Sequence, residues 1–482
     1  MSDAAWTPRA LAPDTPVYRA IADALAADVA DGRVPAGARL PTHRALAESL
    51  GVTVTTVSRA YAEAARRGLT ESTVGRGTFA RAPHPTEPAA TAPPRGPLTF
   101  DFPQTHAPGV PADPGAPVDL GPNLPVPLGL GRRLAETLAD LSTAPAALAP
   151  LLDYHLHHEE TRHRAAAAAW MARAGAHDDP DAVVITAGVQ HGLAVALMTL
   201  LRPGDTLLCA TLTYPNLKLL ADRQGVSLHG VALDAEGLVP EAVDEAAART
   251  GARALFCMPT LQNPTAVVAS STRREALAGV AARHGLAVIE DDIYGLLPAD
   301  RPPPLAALIP ARTVFLTSSA KTLAPGLRTG FALVPPPWRA LFAACLRATI
   351  WMATPLTVEI TTRWIEDGTA DALVQGQRRA LAARLDLAAE ALDGLPWQGA
   401  PGTPHLWLPL PAPWRAETFR DALTRRGVLV QPAAVFHVGP GTMPEAVRLC
   451  LGAEPDPARL RHALGVVRAV LSAGPAARAM GP

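Results

Sequence analysis

The chain has 482 residues, 48% of them hydrophobic and 18% charged, with a formal net charge of −1. That length suits two or three domains, and that balance supports a large buried core and excludes global disorder. A near-zero net charge excludes a wholly basic nucleic-acid coat but leaves room for a local basic patch. No apolar run approaches the ~20 residues of a membrane helix, and residues 1–15 lack a secretory apolar stretch. Cys209, Cys257, Cys345 and Cys450 show neither pairing nor metal spacing. A reduced, cytoplasmic setting is therefore expected. Among 43 basic residues only Lys218 and Lys321 are lysine, and asparagine occurs only at Asn123, Asn216 and Asn263. In so skewed a composition, a retained lysine or asparagine is a candidate for chemistry.

Residues 1–82 read as a small helical unit. Val17, Ile21, Leu25 and Val29 recur at every fourth position as one apolar helix face, closed by Asp31-Gly32. Thr42 is a plausible N-cap for a second helix carrying Leu46 and Leu50, with Gly51 at its end. Thr53 caps a third helix with Val57, Tyr61 and Ala64. A two-stranded wing follows, turning at Gly75-Arg76-Gly77. Two short helices around a Gly turn make a helix-turn-helix candidate. Residues 33–81 hold eight arginines against three glutamates, a local excess suited to DNA phosphates. The hydroxyls of Thr53, Thr55 and Thr56 suit phosphates or base edges. The bland alternative is a helical domain with a solvated arginine face.

Residues 83–118 contain 11 prolines and read as an extended linker. Residues 119–475 alternate strand and helix patterns, which predicts an α/β domain with a mostly parallel sheet. Lys321 follows the strand-like Thr313–Leu316 in FLTSSAKTLAPGLRTG. Only a primary amine forms a Schiff base, which arginine cannot do, so Lys321 is the candidate for covalent pyridoxal 5′-phosphate (PLP) chemistry. Lys218, in TYPNLKLL, reads as a solvated helix residue.

The partners of Lys321 lie on other strands. Asp291 ends a buried strand in LAVIEDDIYGLL and suits a pyridinium nitrogen. Tyr294 and, in LQNPTAVV, Asn263 are donors for the ring's 3′ oxygen. Parallel strands collect ligand groups at their C-terminal ends. The helix opening at Gly188-Val189-Gln190 suits a phosphate, with Ser318 and Arg328 flanking the lysine. Tyr214 is placed to stack on the ring, and Arg448 in AVRLCL offers a fork for a carboxylate. The run His155, His157, His158 and His163 is broken by acids and lacks a metal pattern.

GRVPAGARLPTHRALAESLGVTVTTVSRAYAEAARRGLTESTVGRGTF resembles the GntR-type winged helix-turn-helix along its whole length. That resemblance implies DNA contacts by Arg44, Thr53, Thr55, Thr56, Gly75 and Arg76. Val54 stands where such families often carry arginine. The later motifs, in order and spacing, resemble the fold-type I aminotransferases over residues 119–475. The resemblance implies Lys321 as the internal-aldimine lysine and Asp291 as the pyridine partner. It assigns O3′ to Tyr294 and Asn263, the phosphate to Val189, Gln190, Ser318 and Arg328, and an α-carboxylate to Arg448. Tyr154 matches a position that reaches the partner subunit's phosphate, implying a homodimer. Ala266 stands where the family's NPTG motif has glycine, and Ala320 where serine often precedes the lysine.

Together the three zones resemble the MocR subfamily of GntR-type regulators. Membership implies a DNA-binding transcription regulator that senses PLP, or an amino compound, through the Lys321 aldimine. Two alternatives stay open: an active PLP-dependent aminotransferase with an accessory DNA-binding head, and a PLP-free regulator with the large domain as scaffold.

Overall fold

The computed structural model describes residues 6–8, 16–35, 37–66, 69–73, 77–80, 116–154, 161–439 and 441–475. The chain divides into two compact units, residues 1–99 and 100–482.

In the first unit the helix Val17–Ala30 buries Ile21, Leu25 and Val29. Val17 was expected on the same face but is 44% exposed, because it sits in the first turn, beyond the packed part of the stripe. The helix His43–Leu50 starts where Thr42 Oγ1 accepts from the Ala45 amide (3.3 Å) and stops at Gly51, whose φ of 65° glycine adopts without strain. Thr53 Oγ1 likewise accepts from the Thr56 amide (3.2 Å) at the head of Val54–Arg66. That third helix buries Val57, Ala60, Tyr61 and Ala64, while Thr53, Val54 and Thr55 face outward. Strands Thr70–Thr73 and Gly77–Ala80 pair antiparallel as the wing.

The second unit is built on a seven-stranded sheet. Its order is Val183–Thr186, Gly330–Leu333, Thr313–Ser318, Ala287–Asp291, Ala254–Cys257, Thr206–Ala210 and Ser227–Val231. Gly330–Leu333 runs antiparallel to both neighbours, and the other pairs are parallel. The central strands are buried along their whole length, as a sheet covered on both faces requires. Leu193, Leu197, Phe256 and Leu316 belong to one core; Leu255, Val288 and Leu277 belong to another. A smaller antiparallel sheet, His405–Pro409, Ala446–Cys450 and Gln431–Pro432, has its own core with Phe419 and Leu464. Val118, the last residue of the Pro-rich segment, pairs with Val428 in this unit; residues 83–115 of that segment lie outside the described residues.

Leu46 is fully buried among Val57, Tyr61 and Leu25. Leu46→Ala is expected to destabilise the first unit by about 2–5 kcal/mol through its cavity. Hydrogen exchange of the Val54–Arg66 amides in the full chain should show the loss.

Candidate functional site

Six of the seven strands run the same way and end on one edge of the large sheet, and that edge opens on a cavity of about 520 Å³. Val189, Gln190, Tyr214, Asn263, Asp291 and Tyr294 line it. So do Ser318, Lys321, Arg328 and Arg448. Sequence reasoning had named all ten.

Asp291 and Glu290 are adjacent on one strand and therefore point to opposite faces. Asp291 enters the cavity, while Glu290 accepts from the Leu305 and Ala306 amides at 3.0 and 2.9 Å. Asp291 accepts from the Ile293 amide (3.2 Å), and among the described residues no arginine or lysine pairs with it. Burial pushes its carboxyl up to about 7. Lys321 stands beyond the end of Thr313–Ser318, and its amine donates to the Asn123 carbonyl. Burial, only partly offset by Cys450, pushes that amine down to about 8. A lysine near 8 holds a useful fraction of neutral, nucleophilic amine at neutral pH.

The turn before helix Val189–Leu200 needs glycine twice. Gly188 has φ 83°, and a Cβ there would lie 2.8 Å from Arg328 Nη2. A Cβ on Gly330 would lie 2.6 Å from the Gly188 carbonyl carbon. Arg328, itself at φ 49°, donates to the Ala187 carbonyl (3.1 Å). The helix N-terminus, Ser318 and Arg328 thus form an anion cradle. Beside it Tyr214 donates to Gln190 Oε1 (2.7 Å) and accepts from Asn216 Nδ2 (3.1 Å). Burial pushes the Tyr214 phenol up to about 12, so it stays protonated.

Arg448 is only 4% exposed. It donates to Asn263 Oδ1 (2.7 Å) and the Gly121 carbonyl (2.5 Å), and lies over the Phe436 ring at 4.8 Å. Its Nε is buried without a partner. Both acceptors are uncharged, so the positive charge stays available to a carboxylate.

Several positions fall elsewhere. Tyr154 is 73% exposed and does not line the cavity; its ring meets Trp351 edge-on at 6.0 Å. Lys218 is not the solvated residue expected. It is half-buried, and Nζ donates to the carbonyls of Val435 (2.6 Å) and His437 (3.3 Å). Of the candidate DNA contacts, Arg44, Thr53 and Thr55 are exposed and Thr56 is half-buried; Gly75 and Arg76 lie outside the described residues. His163 is buried against Thr362 Oγ1 (2.9 Å), and His155, His157 and His158 also lie outside the described residues. No cluster of three metal-ligating side chains occurs among the described residues. Sequence reasoning missed His405, which lies behind the cavity wall, and had flagged Asn123 and Asn216 only by their rarity.

PLP is tested by the donor set. A primary amine held near 8, an unpaired buried carboxylate, an anion cradle that glycine alone can line and a tyrosine near the cradle all match its amine, pyridine, phosphate and ring requirements. The residues fit the group.

Fold and site define a fold-type I aminotransferase-like ligand domain carried by a winged helix-turn-helix chain. The match to aminotransferase class I and II covers residues 134–467, and the match to the bacterial regulatory proteins of the gntR family covers residues 17–80. The chain belongs to the aminotransferase class I and II family and has the MocR-type arrangement, with a GntR-family head. The HTH-type transcriptional regulator YdeF of Bacillus subtilis is 28% identical over 97% of this chain and 96% of its own length. The regulator TauR of Rhodobacter capsulatus is 28% identical over 87% of this chain and 92% of its own. Among solved structures, N-succinyldiaminopimelate aminotransferase of Mycobacterium tuberculosis is 26% identical, with a TM-score of 0.65 over 73% of this chain and 93% of that one. An archaeal alanine:glyoxylate aminotransferase, at 20% identity, shares the fold with a TM-score of 0.68 over 76% and 92%. No helix among the described residues is long and apolar enough to cross a membrane.

Ala266 holds φ 59° where the family has glycine. A left-handed alanine carries about 1–2 kcal/mol of strain, partly offset by glycine's looser unfolded state. Ala266→Gly should therefore stabilise by up to about 1 kcal/mol, visible as a raised Tm.

The lowered pKa of Lys321 also has a kinetic signature. PLP capture, followed by visible absorbance, should accelerate with pH through a midpoint near 8. An ordinary lysine would place that midpoint above ~10.

Proposed function

We propose that this protein is a cytoplasmic, homodimeric transcription regulator that binds operator DNA through its N-terminal unit and PLP through Lys321. PLP, or an amino compound competing with Lys321 for it, then sets the DNA affinity. The observation that carries this reading is the gathering of Lys321, Asp291, Tyr294 and Arg448 on one cavity, in a chain whose first unit is a GntR-family helix-turn-helix.

When bound, PLP supplies an electrophilic carbon and a protonatable ring. The chain's own residues do the rest. Asp291, destabilised as a bare carboxylate, regains its charge beside a protonated pyridine nitrogen. Ser318, Arg328 and the Val189–Gln190 amides hold the phosphate. Tyr214 and Gln190 border the ring, Tyr294 and Asn263 address its 3′ oxygen, and Arg448 receives an effector carboxylate. Tyr154, exposed beside Trp351, reaches the partner's cofactor across the dimer. On DNA, Arg44, Thr53, Thr55 and Thr56 contact phosphates and base edges, joined by Gly75 and Arg76 of the wing. Val54, exposed on the same helix, offers an apolar contact suited to a thymine methyl. An effector acts only if it binds one DNA-binding conformation better than another.

A second reading, an active aminotransferase, is favoured by the same complete set of Lys321, Asp291 and Arg448. The test is DNA binding by the purified protein, at fixed salt, to the region upstream of its own gene. Specific binding whose affinity changes several-fold with PLP, and no longer changes in Lys321→Ala, is the expected result. Specific binding indifferent to PLP and to amino acids would overturn PLP sensing. Absence of specific binding, with turnover of an amino acid and 2-oxo acid pair, would establish the enzyme.

A further inference from the structure

A hydrogen-bond chain behind the cavity wall determines which way one cavity hydroxyl donates. His405 opens the strand His405–Pro409 and is fully buried, at 0% exposure. Its Nε2 lies 3.2 Å from the Gln262 carbonyl, which can only accept, so Nε2 carries the ring proton. Burial and the nearby Arg448 hold the imidazole down to about 3, so the ring is neutral. Nδ1 is therefore a bare acceptor, and it lies 3.0 Å from Asn123 Nδ2. The same Nδ2 lies 2.9 Å from the Tyr294 hydroxyl.

An amide nitrogen has two hydrogens, and these two acceptors use both. Flipping the amide would set Asn123 Oδ1 against the bare Nδ1, lone pair to lone pair. The Gln262 carbonyl thus fixes the tautomer, the tautomer fixes the amide, and the amide makes Tyr294 accept. Burial pushes the Tyr294 phenol far above its usual value, so it keeps its proton. That proton has to point away from Asn123, and Tyr294 lines the cavity.

We infer that His405 and Asn123 are positioning residues that lock Tyr294 as a hydrogen-bond donor into the cavity, toward the ring oxygen of bound PLP. The inference rests on the reading that PLP occupies this cavity. The charged and titratable groups acting on Tyr294 are Arg448, Asp291, Cys450 and Tyr214; those acting on His405 are Arg448 and Lys321. None of them supplies the acceptor that His405 Nδ1 provides to the amide.

The test is a visible-absorbance pH titration of the full-length, PLP-loaded protein. It reads the proton shared between the Lys321 nitrogen and the ring oxygen. Donation to that oxygen stabilises its anion, so losing the donation raises the titration midpoint. The scale for one hydrogen bond to a charged oxygen is about one pH unit. His405→Gln keeps a donor where Nε2 was but removes the acceptor at Nδ1; His405→Asn keeps an acceptor there. We expect His405→Gln to raise the midpoint by about one unit, His405→Asn to restore it, and Tyr294→Phe to raise it at least as far. Added to Tyr294→Phe, His405→Gln should cause no further shift. Asn123→Asp, which sets an acceptor instead of a donor against the Tyr294 hydroxyl, should raise the midpoint as His405→Gln does, by less when added to Tyr294→Phe, and replaces it if that variant does not fold.

Equal midpoints in wild type and the two lock variants would overturn the inference. A His405→Gln shift that persists in full on Tyr294→Phe would overturn the route through Tyr294. Failure of the wild type to take up PLP would instead overturn the cofactor reading and this inference with it. Uptake is measured first, so the two failures are distinguishable.

Discussion

Cationic side chains held by uncharged acceptors are the constraint on which this site depends. Lys321 donates to the Asn123 carbonyl, and Arg448 to the Gly121 carbonyl and the Asn263 amide oxygen. Carboxylate partners would bind these cations more strongly, but they would also neutralise them. Asp291, the acid at the same sheet edge, accepts from the Ile293 amide and makes no direct ion pair among the described residues. The result is two groups displaced toward neutrality, a lysine pushed down and an aspartic acid pushed up, both by burial. A ligand bearing a phosphate, a basic ring nitrogen and a carbonyl answers all of these at once.

The architecture makes that gathering possible from distant parts of the chain. Parallel strands deliver Asp291 and Lys321 to one edge. The antiparallel strand Gly330–Leu333 lies between Thr313–Ser318 and Val183–Thr186, which brings Gly330 against Gly188 and sets Arg328 over the helix N-terminus. The small sheet then adds Arg448 and His405 from neighbouring strands. Asn123 is the point where these contributions meet: its carbonyl takes Lys321, and its amide takes Tyr294 and His405.

The strand-end residues were legible because their chemistry is local. A lysine after a Ser pair, an aspartate ending a buried strand and a glycine opening a helix each carry their signal within a few residues. His405 carries none: in TPHLWLPL it reads as the start of an apolar strand, and its partner Asn123 lies 282 positions away. Lys218 was misread for a similar reason, since TYPNLKLL is an ordinary amphipathic pattern and the carbonyls it binds lie more than 200 residues on. Thr42 and Thr53 were legible as caps, because a cap acts three residues ahead. Val17 was not legible as exposed, because periodicity shows which face a residue is on but not where the packing stops. The resemblance to known families supplied what neither signal could, the expected division of labour between head and large domain.

The scarcity of lysine has a practical side. Lys321 borders the cavity, and Lys218 is held between two backbone carbonyls. A reagent that acylates primary amines reports, in most proteins, an average over a crowded surface. In this chain the arginine-rich exterior gives it almost nothing to modify besides the α-amino group. Amine labelling thus becomes a nearly background-free readout of the site, with occupancy legible as protection of a single peptide.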